Sequence, residues 1–322
     1  MKKRILVPVI SLILGAVLIW LVCMFANLEK SKNVTIDIST LGNVQWLTGI
    51  TAPENILLSN TSSDFYVTDL HGFIHRVKKD EIENEYVVKD SQKIGKSALG
   101  LAWANDLNTE LFVGVCLENW PKPGGSVFKM SSDLQNIERI SNNYSGLNGF
   151  ATDAHGELYI ATSNFNMLYP KGSIINIGGK TGDTLVTKTK AVNGLFYDDK
   201  TNSLFYSEVF TGISQFDFAS ETSHTVLGKS KILEGFDDFC IDSQNNLWIA
   251  DPPSNLIKMY WPDEKIVYHI KIEGFGVASS CRIRHENGED YIFITELNKV
   301  NYSKTDGRGV LILPLKELVR FL

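Results

Sequence analysis

The sequence predicts an all-β fold, a six-bladed β-propeller, preceded by a transmembrane helix. Three observations predict it. Six short runs rich in aromatic and β-branched residues recur: Phe65-Tyr66-Val67-Thr68-Asp69, Leu111-Phe112-Val113-Gly114, Leu158-Tyr159-Ile160-Ala161-Thr162, Leu204-Phe205-Tyr206-Ser207-Glu208, Leu247-Trp248-Ile249-Ala250-Asp251 and Tyr291-Ile292-Phe293-Ile294-Thr295. Their starts lie roughly 43–47 residues apart, the period of a four-stranded propeller blade. About 10–12 residues ahead of each run, one position keeps the same phase: Glu54, Leu99, Asn148, Asn193, Asp237 and Ser280. Finally, residues 5–26 are apolar without a charge and follow Lys2, Lys3 and Arg4.

From the N-terminus, residues 1–4 are expected to stay cytoplasmic. Residues 5–26 are long enough to span a bilayer, since about 20 residues suffice. They exceed the roughly 7–15 residues of a secretory apolar core. They read as an uncleaved signal anchor, with a cleaved signal peptide as the alternative. The propeller then lies on the lumenal, extracellular or periplasmic side, or is secreted. Residues 27–33 form a short polar stalk, and 34–322 the propeller, with no internal domain boundary. Val34-Thr35-Ile36-Asp37-Ile38 alternates apolar and polar, as a strand does. It is expected to supply the outer strand of blade six and so remove the free edges of an open ring.

Each unit then reads as strand, turn, strand, turn, strand. The first turns carry hairpin chemistry, as in Asp153-Ala154-His155-Gly156 and Asp242-Ser243-Gln244-Asn245-Asn246. Third strands are expected at Gly72–Val77, Gly125–Met130, Gly172–Ile177, Gly212–Phe218, Asn255–Tyr260 and Gly309–Leu313, and a short helix over Lys316–Leu322.

The composition is that of a globular chain, 43% hydrophobic and 21% charged, with a net charge of −6. The mild acidity argues against nucleic acid as a partner, because that requires a basic patch. Sequons at Asn33, Asn60, Asn143 and Asn301 fit a secretory glycoprotein. Cys116, Cys240 and Cys281 leave an odd number outside the apolar run. They give no disulfide framework and read as buried free thiols.

In a propeller the innermost strand of each blade begins at the axial channel. Glu54, Asn148, Asn193 and Asp237 therefore aim oxygen-bearing side chains at one point, and Asp238 could add another. A set of oxygen donors without His or Cys suits Ca²⁺ and not zinc. Two carboxylates converging without a cation would repel, and one would stay protonated. Against this, Asn148-Gly149 and Asn193-Gly194 are also common turn dipeptides.

Around these residues the chain resembles the six-bladed superfamily of senescence marker protein, gluconolactonase and luciferin-regenerating enzyme. Paraoxonase, diisopropylfluorophosphatase and strictosidine synthase-like proteins are related to it. The resemblance spans roughly residues 45–315. It rests on Ala191-Val192-Asn193-Gly194-Leu195, on Phe236-Asp237-Asp238-Phe239-Cys240-Ile241-Asp242 through Ala250, and on Ser279-Ser280-Cys281 through Thr295. It implies a catalytic calcium held by Glu54, Asn148, Asn193 and Asp237, with Asp238 matching an additional ligand position. Departures narrow the chemistry. Leu99 and Cys116 stand where paraoxonases carry a histidine pair. Asn55 and Gly149 stand where their second calcium needs acids. Val277–Arg282 offers only serines and an arginine where strictosidine synthases use a glutamate.

The reading that follows is a calcium-dependent hydrolase of a lactone or related ester. The ion acts as Lewis acid and Asp237 as the base. The alternatives are a strictosidine synthase-like protein of other activity and a non-catalytic propeller that binds a partner. His71, Trp120, Asn164, Tyr169, Glu208, Asp251 and Asn298 are expected around the substrate rim. The other histidines are expected to be structural or solvated.

Overall fold

The structure is a computed structural model that describes residues 28–80, 82–116, 123–164, 171–178, 183–231, 234–297 and 308–322. The expected membrane segment 5–26 lies outside these residues. Among the described residues, no helix is long and apolar enough to cross a membrane.

Six sheets form the blades of a propeller. Blade 1 runs through Pro53–Leu58, Phe65–Asp69, Phe73–Lys79 and Tyr86–Lys93. Blade 2 comprises Ser97–Trp103, Glu110–Cys116, Pro123–Ser131 and Ile137–Ser145. Blade 3 comprises Leu147–Thr152, Leu158–Ser163, Gly172–Asn176 and Thr184–Thr189. Blade 4 comprises Val192–Asp198, Ser203–Glu208, Gly212–Asp217 and Thr222–Leu227. Blade 5 is built on Phe239–Ile241, Leu247–Asp251, Leu256–Trp261 and Ile266–Glu273, and blade 6 on Val277–Glu286, Glu289–Leu297 and Val310–Pro314. Innermost strands touch in cyclic order, and that of blade 6 meets that of blade 1, which closes the ring.

The recurring runs are the second strands. They are buried on both faces because each blade is sandwiched between two others; Phe65–Asp69 and Leu247–Asp251 are buried throughout. This explains their continuous apolar character. Aromatic side chains join the blades: Phe65 meets Phe293 of blade 6 edge-on at 5.3 Å, a favoured geometry.

Closure differs from the sequence expectation. The outer strand of blade 6 is Gln45–Leu47, antiparallel to Val310–Pro314 with Trp46 opposite Leu311. Leu47 is buried, and Trp46 stacks on Phe275 with the Arg308 guanidinium 4.5 Å from its ring centre. The alternating segment does form a strand, Lys30–Asp37. It is a fifth strand of blade 5, parallel to Ile266–Glu273. Its apolar face sets this placement: Ile36 is buried and Val34 partly so, in one cluster with Ile257, Ile270 and Ile272. The expected terminal helix is a single turn, Lys316–Val319, whose Glu317 accepts the Gly42 N–H at 2.9 Å.

Candidate metal centre

The in-phase positions share one backbone device. In blade 1 the pairing of the inner strand with the second strand slips by a residue between Pro53 and Asn55, at Glu54. The same slip occurs between Ala98 and Leu101, Leu147 and Phe150, Val192 and Leu195, and Ala278 and Cys281. In blade 5 two residues face one: Asp237 N–H donates to the Ala250 carbonyl at 3.1 Å and Ala250 N–H to the Asp238 carbonyl at 2.9 Å. Each blade thus carries a β-bulge at the axis, the irregularity that re-aims side chains.

The Asn-Gly pairs belong to these bulges and are not turns. A Cβ on Gly149 would lie 2.2 Å from the Asn193 carbonyl oxygen, and one on Gly194 2.6 Å from Asp238 Oδ1. Glycine is needed there because the next blade passes against it. Hydroxyls beside the bulges tie neighbouring blades together. Thr68 Oγ1 donates to the Leu99 carbonyl at 2.7 Å, Ser279 Oγ to the Pro53 carbonyl at 2.9 Å, and Ser207 Oγ to the Asp237 carbonyl.

Two of the expected donors come into direct contact: Asn193 Nδ2 donates to Asp237 Oδ1. Asn148 is buried at the equivalent bulge. Glu54 keeps some solvent access along the channel, yet burial, and then Asp238, push its carboxyl up to about 8. Asp237 is raised well above the usual range by burial, then by Glu54, Asp238 and Asp251; the Asn193 bond opposes this. Glu54 and Asp237 are therefore short of positive charge.

Asp238 differs, which corrects its place among the donors. Its Oδ2 accepts from Arg282 Nη1 at 2.6 Å and from Ser280 Oγ, and its Oδ1 from the Phe239 N–H at 2.9 Å. Arg282 also donates to Asn55 Oδ1 at 3.1 Å and to the Cys281 carbonyl at 2.7 Å. With its oxygens so engaged, Asp238 is a structural anion that links blades 5, 6 and 1. Among the described residues, no three His, Cys, Asp or Glu side chains group as metal ligands. The donor set rests on two carboxylates, Glu54 and Asp237, and two amides, Asn148 and Asn193, which fits an oxygen-seeking cation. The cleft lined by Asn105, Asp106, Asp153 and His155 lies at the first turns, on the opposite face.

The rim residues divide. Trp120, Tyr169 and Asn298 lie outside the described residues. His71 is half-buried, and its backbone N–H donates to Asp69 Oδ1 at 2.9 Å. Asn164 is exposed and accepts the Lys171 N–H at 2.9 Å across the base of its loop. Glu208 accepts the Lys190 N–H at 2.7 Å. Asp251 is no rim contact, because it is fully buried and ion-paired with Lys258 at 3.0 Å. An acid stands last or next to last in the second strand of four blades, at Asp69, Glu208, Asp251 and Glu296. Glu208, Asp251 and Glu296 each hold a backbone N–H just ahead of an inner strand, the last two from Gly235 and Gly276. Sequence reasoning missed Lys258 and the role of Arg282. The signal for Lys258 is a lysine inside the buried run Ile257–Tyr260.

Cys116, Cys240 and Cys281 are buried free thiols, as expected. Of the histidines, His75 is buried between Asp69 and Ser91, and burial lowers His269 to about 4.

Residues 52–297 match the family described as SMP-30/Gluconolactonase/LRE-like region. Among curated protein sequences, none matches this one. Similar solved structures include a luciferin-regenerating enzyme, 16% identical with a TM-score of 0.63, over 84% of this chain and 95% of that one. A calcium-binding protein, regucalcin, from Agrobacterium tumefaciens is 11% identical with a TM-score of 0.62, over 89% and 95% of the two chains. A gluconolactonase from Xanthomonas campestris is 16% identical with a TM-score of 0.60, over 85% and 90%. At these identities the likeness speaks for the fold, whereas the family match spans most of the propeller, and the chain belongs to the SMP-30/gluconolactonase/LRE-like family.

Proposed function

We propose that this protein is a calcium-dependent hydrolase of a lactone or a related ester, with the cation between Glu54, Asn148, Asn193 and Asp237. The observation that carries the proposal is the pair of carboxylates, Glu54 and Asp237, brought together by bulges and pushed up in the absence of a cation. Family membership and the calcium-binding and gluconolactonase neighbours point the same way. Bound there, calcium would polarise the substrate carbonyl and favour an attacking water. Asn193 Nδ2 holds Asp237 by Oδ1, so Oδ2 is the atom to take the water's proton. Asn148 and Asn193 fix the position of the reacting oxygen, and Glu54 supplies the second negative charge.

The test is a panel of lactones, aryl esters and phosphotriesters assayed with calcium and with chelator. Chelator-sensitive lactone or ester hydrolysis is the expected result; turnover unaffected by chelator, or none on any class, overturns the reading. We also propose that residues 5–26 anchor the protein in a membrane with the propeller on the far side. The protein should stay with membranes after a high-salt wash, and soluble protein beginning near Asn27 would show cleavage instead.

A further inference from the structure

Blade 5 presents its ligand differently from the others. Elsewhere the inner strand begins before the axial residue, as at Pro53 before Glu54, Leu147 before Asn148 and Val192 before Asn193. In blade 5 the inner strand has only three residues, Phe239–Ile241, and starts after Asp237. Residues 234–238 belong to no regular element. Asp237 and Asp238 bond to Ala250, and the Phe236 N–H donates to the Val209 carbonyl at 3.2 Å, but no strand ladder holds the approach over 234–236.

A buried ion cluster stands where that ladder would be. Lys258, on the third strand of blade 5, has a fully buried side chain, as do Glu234 and Asp251. Its Nζ lies 3.0 Å from Glu234 Oε2 and 3.0 Å from Asp251 Oδ2, the latter an ion pair without hydrogen-bond alignment. It donates to the Gly235 carbonyl at 2.8 Å and sits 3.8 Å from the centre of the Phe236 ring. Asp251 Oδ1 accepts the Gly235 N–H at 2.9 Å, and Glu234 accepts the Ser230 N–H at 2.6 Å. Both backbone polar groups of Gly235 and the ring of Phe236 are thus held by this cluster, immediately ahead of Asp237.

Such a cluster is a poor stabiliser, since apolar replacements of buried ion pairs are often neutral or better. Its presence calls for a positional role. We propose that Lys258, with Glu234 and Asp251, is a positioning residue that fixes segment 234–238 and thereby sets Asp237 for the cation. The proposal rests on the calcium reading for its purpose, and on the cluster's contacts for its existence. Groups that orient metal ligands from the next layer out commonly affect affinity by about 10–100-fold.

The experiment compares wild type, Lys258→Met and Met259→Ala by two readouts. Met259 is the neighbouring residue, buried in the inter-blade core, so Met259→Ala is the control for plain destabilisation. The first readout is amide hydrogen exchange of the metal-free protein, which reports local opening. Lys258→Met should speed exchange at Gly235, Phe236 and Asp237 by about tenfold or more relative to the rest of blade 5; Met259→Ala should not be selective. The second readout is luminescence titration with terbium, an oxygen-seeking stand-in for calcium. Its affinity should fall about tenfold or more in Lys258→Met and stay near wild type in Met259→Ala. If Lys258→Met does not fold, the charge-free Lys258→Met/Glu234→Gln/Asp251→Asn chain replaces it, with the same expectations. Exchange in 235–237 no faster than in the rest of blade 5 overturns the proposal. So does wild-type terbium affinity in the Lys258 variant. Failure of wild type to bind terbium counts against the calcium reading, and the exchange result then decides the positioning role.

Discussion

Asp237 and Asp238 are adjacent in sequence and opposite in circumstance. Asp238 has a built-in cation: Arg282 lies 2.6 Å away, with Ser280 and the Phe239 N–H completing its bonds. Asp237 has one amide donor, from Asn193, and faces the charge of Glu54. The protein spends its own guanidinium on one carboxylate and leaves the other two in need of positive charge. A channel that required only structural closure would neutralise all of them. The difference is what the proposed cation site rests on.

The largest expected effect breaks the neutralised side. Arg282→Met strands the buried Asp238 carboxylate and should cost about 3–5 kcal/mol, the usual penalty for removing one partner of a buried pair. Arg282→Met with Asp238→Asn should recover much of that loss. Chemical denaturation of the three chains checks this; equal stability of Arg282→Met and wild type would make the two aspartates alike.

Asp237→Asn tests the other side. On the proposed mechanism it keeps an oxygen at the cation and removes the base. Turnover should fall by about 10²-fold or more, the scale of a lost general base. Calcium-dependent stabilisation should persist, because it follows mass action on the remaining ligands. A fall in activity that merely tracks calcium occupancy would make Asp237 a ligand only.

A third test of this contrast is a pH dependence. The Glu54 carboxyl is raised from 4.5 to about 8 in the metal-free fold. Between those values the folded state keeps a proton that the unfolded chain has released. Its contribution is therefore full below 4.5 and lost as pH rises through about 8. Asp237 acts in the same direction. The metal-free protein should lose stability across this window, and Glu54→Gln should flatten the loss. Calcium displaces the proton, so its thermal shift should grow from pH 6.5 to 8.5 by the same linkage, about tenfold in affinity per pH unit for each proton released.

The period of the second strands and the phase of Glu54, Asn148, Asn193 and Asp237 were legible because a blade repeats its burial pattern. Every copy reports the same environment. The bulges behind that phase were not, since Asn-Gly reads equally well as a turn. Closure was misplaced for a related reason. Val34–Ile38 alternates well enough to be a strand, but alternation names no partner, and several blades end in an exposed edge. The true closing strand, Gln45–Leu47, is too short to show a period. Arg282 looked like an ordinary polar residue within its strand; only the closed ring sets it against Asp238 and Asn55.

The proposed cation site is defined by Glu54 and Asp237. Calorimetric titration of the metal-free protein with calcium at pH 8 tests it most directly. One site per chain is expected, with affinity weakened about tenfold or more in Glu54→Gln, since one of the few charges facing the ion is lost. Absence of binding at millimolar calcium, or binding unchanged in Glu54→Gln, would contradict it.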